Sequence, residues 1–92
     1  MIVKGTIVRR LSDDYLTHVS RHVLRNSYPP EESICIVVSN PSEKDLSSQM
    51  KVVMDGYVSL KKAVDVLYEG KLYKNCEVRA FSEVKKNDRE NL

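Results

Sequence analysis

A chain of 92 residues has room for one hydrophobic core and no second one. Its hydrophobic content of 41% and charged content of 30% are ordinary globular values, which excludes wholesale disorder. The net charge of +2 is too small to name a partner, and the longest apolar run, residues 34–38, is far short of a membrane span.

In chain order, Ile2 to Arg9 reads as a strand, with β-branched residues and Lys4 and Thr6 alternating against Val3 and Ile7. Ser12 is an N-cap and Asp13 and Asp14 suit the positive end of a helix over residues 13–26, whose apolar stripe is Tyr15, Leu16, Val19, Val23 and Leu24. Asn26, Ser27 and Pro29-Pro30 end it. Residues 33–39 form a near-continuous apolar strand expected in the sheet interior. Residues 43–48 are polar apart from Leu46, a loop or a single helical turn, and residues 50–55 alternate enough to suggest a third strand.

A second helix is expected over residues 59–69. Leu60, Ala63, Val64, Leu67 and Tyr68 recur at helical spacing, with Ser59 to cap the start and Gly70 the end. Residues 76–84 read as the last strand. The order β-α-β-β-α-β implies a ferredoxin-like α+β fold, a four-stranded antiparallel sheet with two helices on one face. Residues 1–84 make the domain and residues 85–92 a flexible polar tail.

The charges are unevenly spread. On the first predicted helix His18, Arg21, His22 and Arg25 share a face, and Arg9 and Arg10 arrive just before it. Such a ridge suits backbone phosphates, because arginine offers several donors in a fixed fork. Lys61 and Lys62 fall in the first turn of the second predicted helix, where they oppose the macrodipole unless an anion binds between them and the free N–H groups. The competing reading for both groups is a solvated polar face.

His18 and His22 have the spacing of two metal ligands, but the HExxH glutamate is missing and Arg21 would repel a cation, so no metal site is expected. No catalytic residue and no cofactor is expected either. There is no GxSxG elbow, and neither Cys35 nor Cys76 has a histidine nearby in sequence. Two cysteines without a CxxC pair, and an N-terminus without signal-peptide features, lead to the expectation of a cytoplasmic protein with reduced thiols.

Residues 50–78 resemble the region of Alba chromatin proteins in which a strand ends in glycine and leads into a helix carrying Lys-Ala-Val-Asp, here Gly56 followed by Lys62-Ala63-Val64-Asp65. The glycine-to-lysine spacing is one residue long for that family, and strands at Ile34 and Met50 do not suit its strand order. The similarity is one between amphipathic helices, and no membership is drawn from it.

Two functional classes follow. The first is a non-enzymatic nucleic-acid-binding module that grips phosphates through Arg9, Arg10, Arg21, Arg25, Lys61 and Lys62, on DNA or RNA alike. The alternative is a protein–protein interaction module, an adaptor, an inhibitor or a homodimer, that uses the open sheet face or an edge strand. Val53 and Phe81 are the expected interface residues on that face, with the strand of residues 34–38 as the edge.

Overall fold

A computed structural model of the chain describes residues 1–85. Most of the expected tail, residues 86–92, lies outside the described residues. The ferredoxin-like expectation is overturned: the described residues form one curled antiparallel half-barrel sheet of six strands with a single α-helix.

The strands are β1 (Ile7–Arg10), β2 (Ile34–Val37), β3 (Ser42–Asp45), β4 (Leu60–Tyr68), β5 (Lys71–Glu77) and β6 (Phe81–Glu83), and the helix is α1 (Arg21–Ser27). β1 pairs with β2 and with β6, and β2 pairs with the C-terminal half of β4 through Ile36↔Leu67 and Val37↔Val66. The same edge of β4 pairs its N-terminal half with β3, from Ser42↔Ala63 to Asp45↔Leu60, while β5 pairs with its other edge. The outermost strands β5 and β6 are joined only by the 3₁₀ turn Val78–Ala80. A connection that short between strands at opposite ends of the sheet order requires the sheet to curl.

The second helix does not exist. Its span is β4, the longest strand, and Glu69-Gly70 is a two-residue hairpin turn with both residues at positive φ, 48° and 76°. A glycine at positive φ serves a helix C-cap and such a turn equally well, so Gly70 carried no discrimination. Val64 and Val66 prefer extended backbone, and β4 gains ladder partners along both edges. Two of the five residues in the supposed apolar stripe are outside the core: Leu60 is 57% exposed and Leu67 37%. A β-bulge interrupts the register between β4 and β5. Val64 pairs with Cys76 but Val66 with Tyr73, so β5 carries one extra residue, with Asn75 at φ 56°. Asp65 sits opposite the irregularity and its Oδ1 accepts from the Asn75 N–H at 3.0 Å. With 60–68 extended, the likeness to Alba proteins has no helix to rest on.

The first predicted helix is divided. Ser12 caps a 3₁₀ turn, Asp13–Leu16, and Ser20 caps α1, its hydroxyl accepting from the Val23 N–H. Between them the chain is extended enough for Val19 to bridge Met50. Leu16, Val19 and Leu24 still reach the core, whereas Tyr15 is exposed. Residues 50–55 are not a strand: only Met50 pairs, and residues 51–58 are exposed and irregular. The strand expected over 76–84 is the end of β5, a 3₁₀ turn and β6, and the polar segment 42–45, read as loop or helical turn, is β3.

The core gathers Val8, Leu16, Val19, Leu24, Tyr28, Cys35, Val37, Ala63, Val64, Val66, Cys76 and Phe81. No helix among the described residues is long and apolar enough to cross a membrane.

Candidate functional site

The segment Lys51-Val52-Val53-Met54-Asp55-Gly56-Tyr57-Val58-Ser59 has the composition of a strand, yet it leaves the sheet as a loop before Leu60 opens β4. Its tip is a turn in which the Tyr57 N–H donates to the Met54 carbonyl at 3.0 Å, with Gly56 at φ 74°. Asp-Gly at the apex supplies the left-handed position that a β-branched residue would resist.

Both feet of the loop are fastened. On one side the Lys51 N–H donates to the His18 carbonyl at 2.9 Å and the Ser20 N–H to the Gln49 carbonyl at 2.8 Å. On the other, the Leu46 N–H donates to the Ser59 carbonyl at 2.8 Å. Asp45 clamps this foot, its Oδ1 accepting from the N–H groups of Ser47 and Ser59 at 3.0 and 3.1 Å. The Ser47 and Ser59 amides hold the Asp45 carboxyl below its ordinary pKa.

Between the feet, Val52, Val53, Met54, Tyr57 and Val58, followed by Leu60, are each more than half exposed. Under the loop lies an open notch of about 510 Å³ lined by Thr17, His18, Met50, Lys51, Val52, Met54 and Tyr57.

The notch floor connects to a buried polar chain. His18 Nε2 is 2.7 Å from Glu77 Oε2, and Glu77 is only 1% exposed. The Glu77 N–H donates to the Tyr28 hydroxyl at 3.0 Å, and that hydroxyl donates to Gln49 Oε1 at 2.9 Å. Gln49 Nε2 in turn donates to the Asn75 carbonyl at 2.8 Å. Burial pushes the Tyr28 phenol well above its usual range. Glu77 Oε1 is buried with no hydrogen-bond partner among the described residues. The chain ties the 3₁₀ turn Ser47–Gln49 to β5 and so fixes the base of the loop.

Neither thiol is activated. Desolvation pushes Cys76 up to about 12 and raises Cys35, so thiolate is scarce at neutral pH. No cluster of three or more His, Cys, Asp or Glu among the described residues is arranged to hold a metal ion.

The cations expected to grip phosphate are scattered by the fold. Arg10 is 1% exposed, its Nη2 2.6 Å from Asp13 Oδ1, its Nη1 donating to the Leu11 carbonyl and its guanidinium 5.6 Å from the Tyr28 ring centroid. It is a core residue. Arg9 is half-buried on β1, between Ile34 and Ser82. Arg21 and Arg25 are exposed on α1 but share their groove with Asp13 and Asp14. His18 precedes α1 and turns to Glu77, so the four-residue ridge is broken.

Lys61 and Lys62 lie on β4, not at a helix N-terminus. Successive strand residues face opposite sides, so the two cannot converge as they would on one helical turn. By register Lys61 opposes Lys44, and Lys62 opposes Glu43. Lys61 and Lys62 do line a shallow cleft with Glu77, Val78 and Arg79. Of the expected interface residues, Val53 is 65% exposed on the loop, whereas Phe81 is 4% exposed in the core. No open apolar sheet face carries them together.

Sequence reasoning missed Lys44, Met54, Tyr57, Arg79 and the His18–Glu77 pair. The Asp55-Gly56 turn signal inside an apolar run was the one available sign of the loop. Compared with known protein families, curated proteins and solved structures, the chain matches none.

Proposed function

We propose that this domain is a protein–protein interaction module whose docking element is the loop 51–59. The observation that carries the reading is the row of five large apolar side chains, Val52, Val53, Met54, Tyr57 and Val58, held out by a loop fastened at both feet. Exposed apolar surface concentrated in this way marks interaction sites, whereas single exposed residues are ordinary. Covering each half-exposed side chain is worth about 1 kcal/mol. A pre-anchored loop also loses less conformational entropy on binding than a free one.

A lipid surface fits less well, because Asp55 stands at the turn apex where insertion would begin. Two free, buried thiols support the further proposal of a reducing, cytoplasmic setting. The test is a photoreactive residue placed at position 54 in cells, with the adduct identified and the purified partner titrated. A specific protein adduct is expected, with affinity lost in Val52→Ser/Met54→Ser/Tyr57→Ser. The absence of any adduct would refute the reading.

The nucleic-acid reading keeps one observation in its favour: Lys44, Lys61, Lys62 and Arg79 have no ion-pair partner among the described residues. A salt titration with duplex DNA and with RNA decides it. Phosphate binding would weaken steeply with salt, with the slope falling by about one unit per lysine removed.

A further inference from the structure

Taking the loop as the docking element proposed above, we infer that its partner is an acidic peptide segment carrying one large apolar anchor. The anchor fills the notch beside Met50, Val52, Met54 and Tyr57, and the partner's carboxylates meet Lys61 and Arg79 in the adjoining cleft. The notch and the cleft share a wall. His18 lines the first and Glu77 the second, and their side chains are 2.7 Å apart. An apolar side chain and an acidic one a few residues apart on one segment can therefore occupy both.

The charge at the cleft is not neutralised from within. Lys44 directly opposes Lys61 across the β3–β4 ladder, a like-charge pairing that weakens a sheet. The nearby acids are engaged elsewhere. Asp45 holds the Ser47 and Ser59 amides, Glu43 lies beside Lys62 in the ladder, and Glu77, which lines the cleft itself, is 1% exposed with Oε2 on His18. Lys51 at the loop foot adds another cation on the notch rim.

A second copy of the chain is a poorer occupant, since a two-fold interface would set this cationic surface against itself. Nucleic acid is also poorer, since Met50, Val52 and Met54 line much of the notch and its rings are Tyr57 and His18, the latter held by Glu77. Methionine suits an anchor whose shape is set by the partner.

The test is selection of a phage-displayed random dodecapeptide library on the full chain, followed by titration of the winning peptide. Enriched peptides should pair Leu, Phe or Met with neighbouring Asp or Glu. Lys44→Glu/Lys61→Glu should bind about tenfold more weakly and select basic neighbours while keeping the apolar anchor. Lys44→Glu alone replaces repulsion by attraction, so it should raise the melting temperature while weakening the peptide, which separates lost recognition from lost folding. Enrichment without acidic bias, or affinity unchanged in the double variant, overturns the acidic partner and leaves the docking loop standing. No enrichment above that on Val52→Ser/Met54→Ser/Tyr57→Ser overturns both. Displacement of the peptide by duplex DNA, or a wild-type dimer that the loop variant dissolves, overturns the acidic partner in favour of nucleic acid or a second copy.

Discussion

Strand β4 and the loop that precedes it are built from similar residues and meet opposite fates. Ala63, Val64 and Val66 are almost wholly buried, while Val52, Val53 and Val58 are more than half exposed. Hydrophobicity does not separate them. β4 has hydrogen-bonding neighbours along both edges, whereas the loop is held only at its feet. Burial here follows from backbone partnership, and an apolar segment without it stays in solvent.

The largest effect that can break this contrast is a charge on the buried side. Val66→Asp should cost about 4 kcal/mol or more, because Val66 is wholly buried and flanked by Val37 and Tyr73 in the ladder. Denaturant unfolding of that variant measures it, and a loss below one kcal/mol would mean that β4 is not central.

The base of the loop comes next. His18→Ala leaves the buried Glu77 without its partner and should cost about 2 kcal/mol, a value reduced because His18 itself is partly exposed. Thermal unfolding reads it.

Asp45 gives a pH test with a definite sign. Its carboxyl titrates lower in the folded chain than in the unfolded one, so its contribution is present above the unfolded value. That contribution disappears as pH falls through the folded value. Asp45→Asn should therefore flatten the acid limb of a stability–pH curve, and amide exchange at Ser59 should quicken. A limb of unchanged slope would remove Asp45 from the clamp.

A smaller effect is expected at the ladder. Lys44→Glu should stabilise the domain by about 0.5 kcal/mol, since it turns a like-charge cross-strand pair into an opposite one. A loss of stability would show that the Lys44–Lys61 repulsion is already relieved within the fold.

How far the sequence could be read also divides along this contrast. Residues 34–37 form an interior strand as their continuous apolar run implies, so they are not the edge also expected of 34–38, and Ser12 caps a 3₁₀ turn where a long helix was expected. The failures share one cause. Leu60 to Tyr68 satisfies helical spacing and, with a bulge opposite Asp65, a strand as well, and only pairing with residues distant in sequence decides. β3 is invisible locally, since Ser42-Glu43-Lys44-Asp45 is a strand solely because β4 lies beside it. Of the residues expected at phosphate, Arg10 is buried, and Lys61 and Lys62 line a cleft from a strand and not a helix N-terminus, placements that no local pattern in the sequence announces.

The central claim is that loop 51–59 is held out for a partner and contributes little to the fold. Comparing the unfolding free energies of wild type and Val52→Ser/Val53→Ser/Met54→Ser tests it most directly. A difference within about 0.5 kcal/mol is predicted, as for surface substitutions away from any packed feature. A loss of about 3 kcal/mol or more would place these side chains in the core and contradict the account.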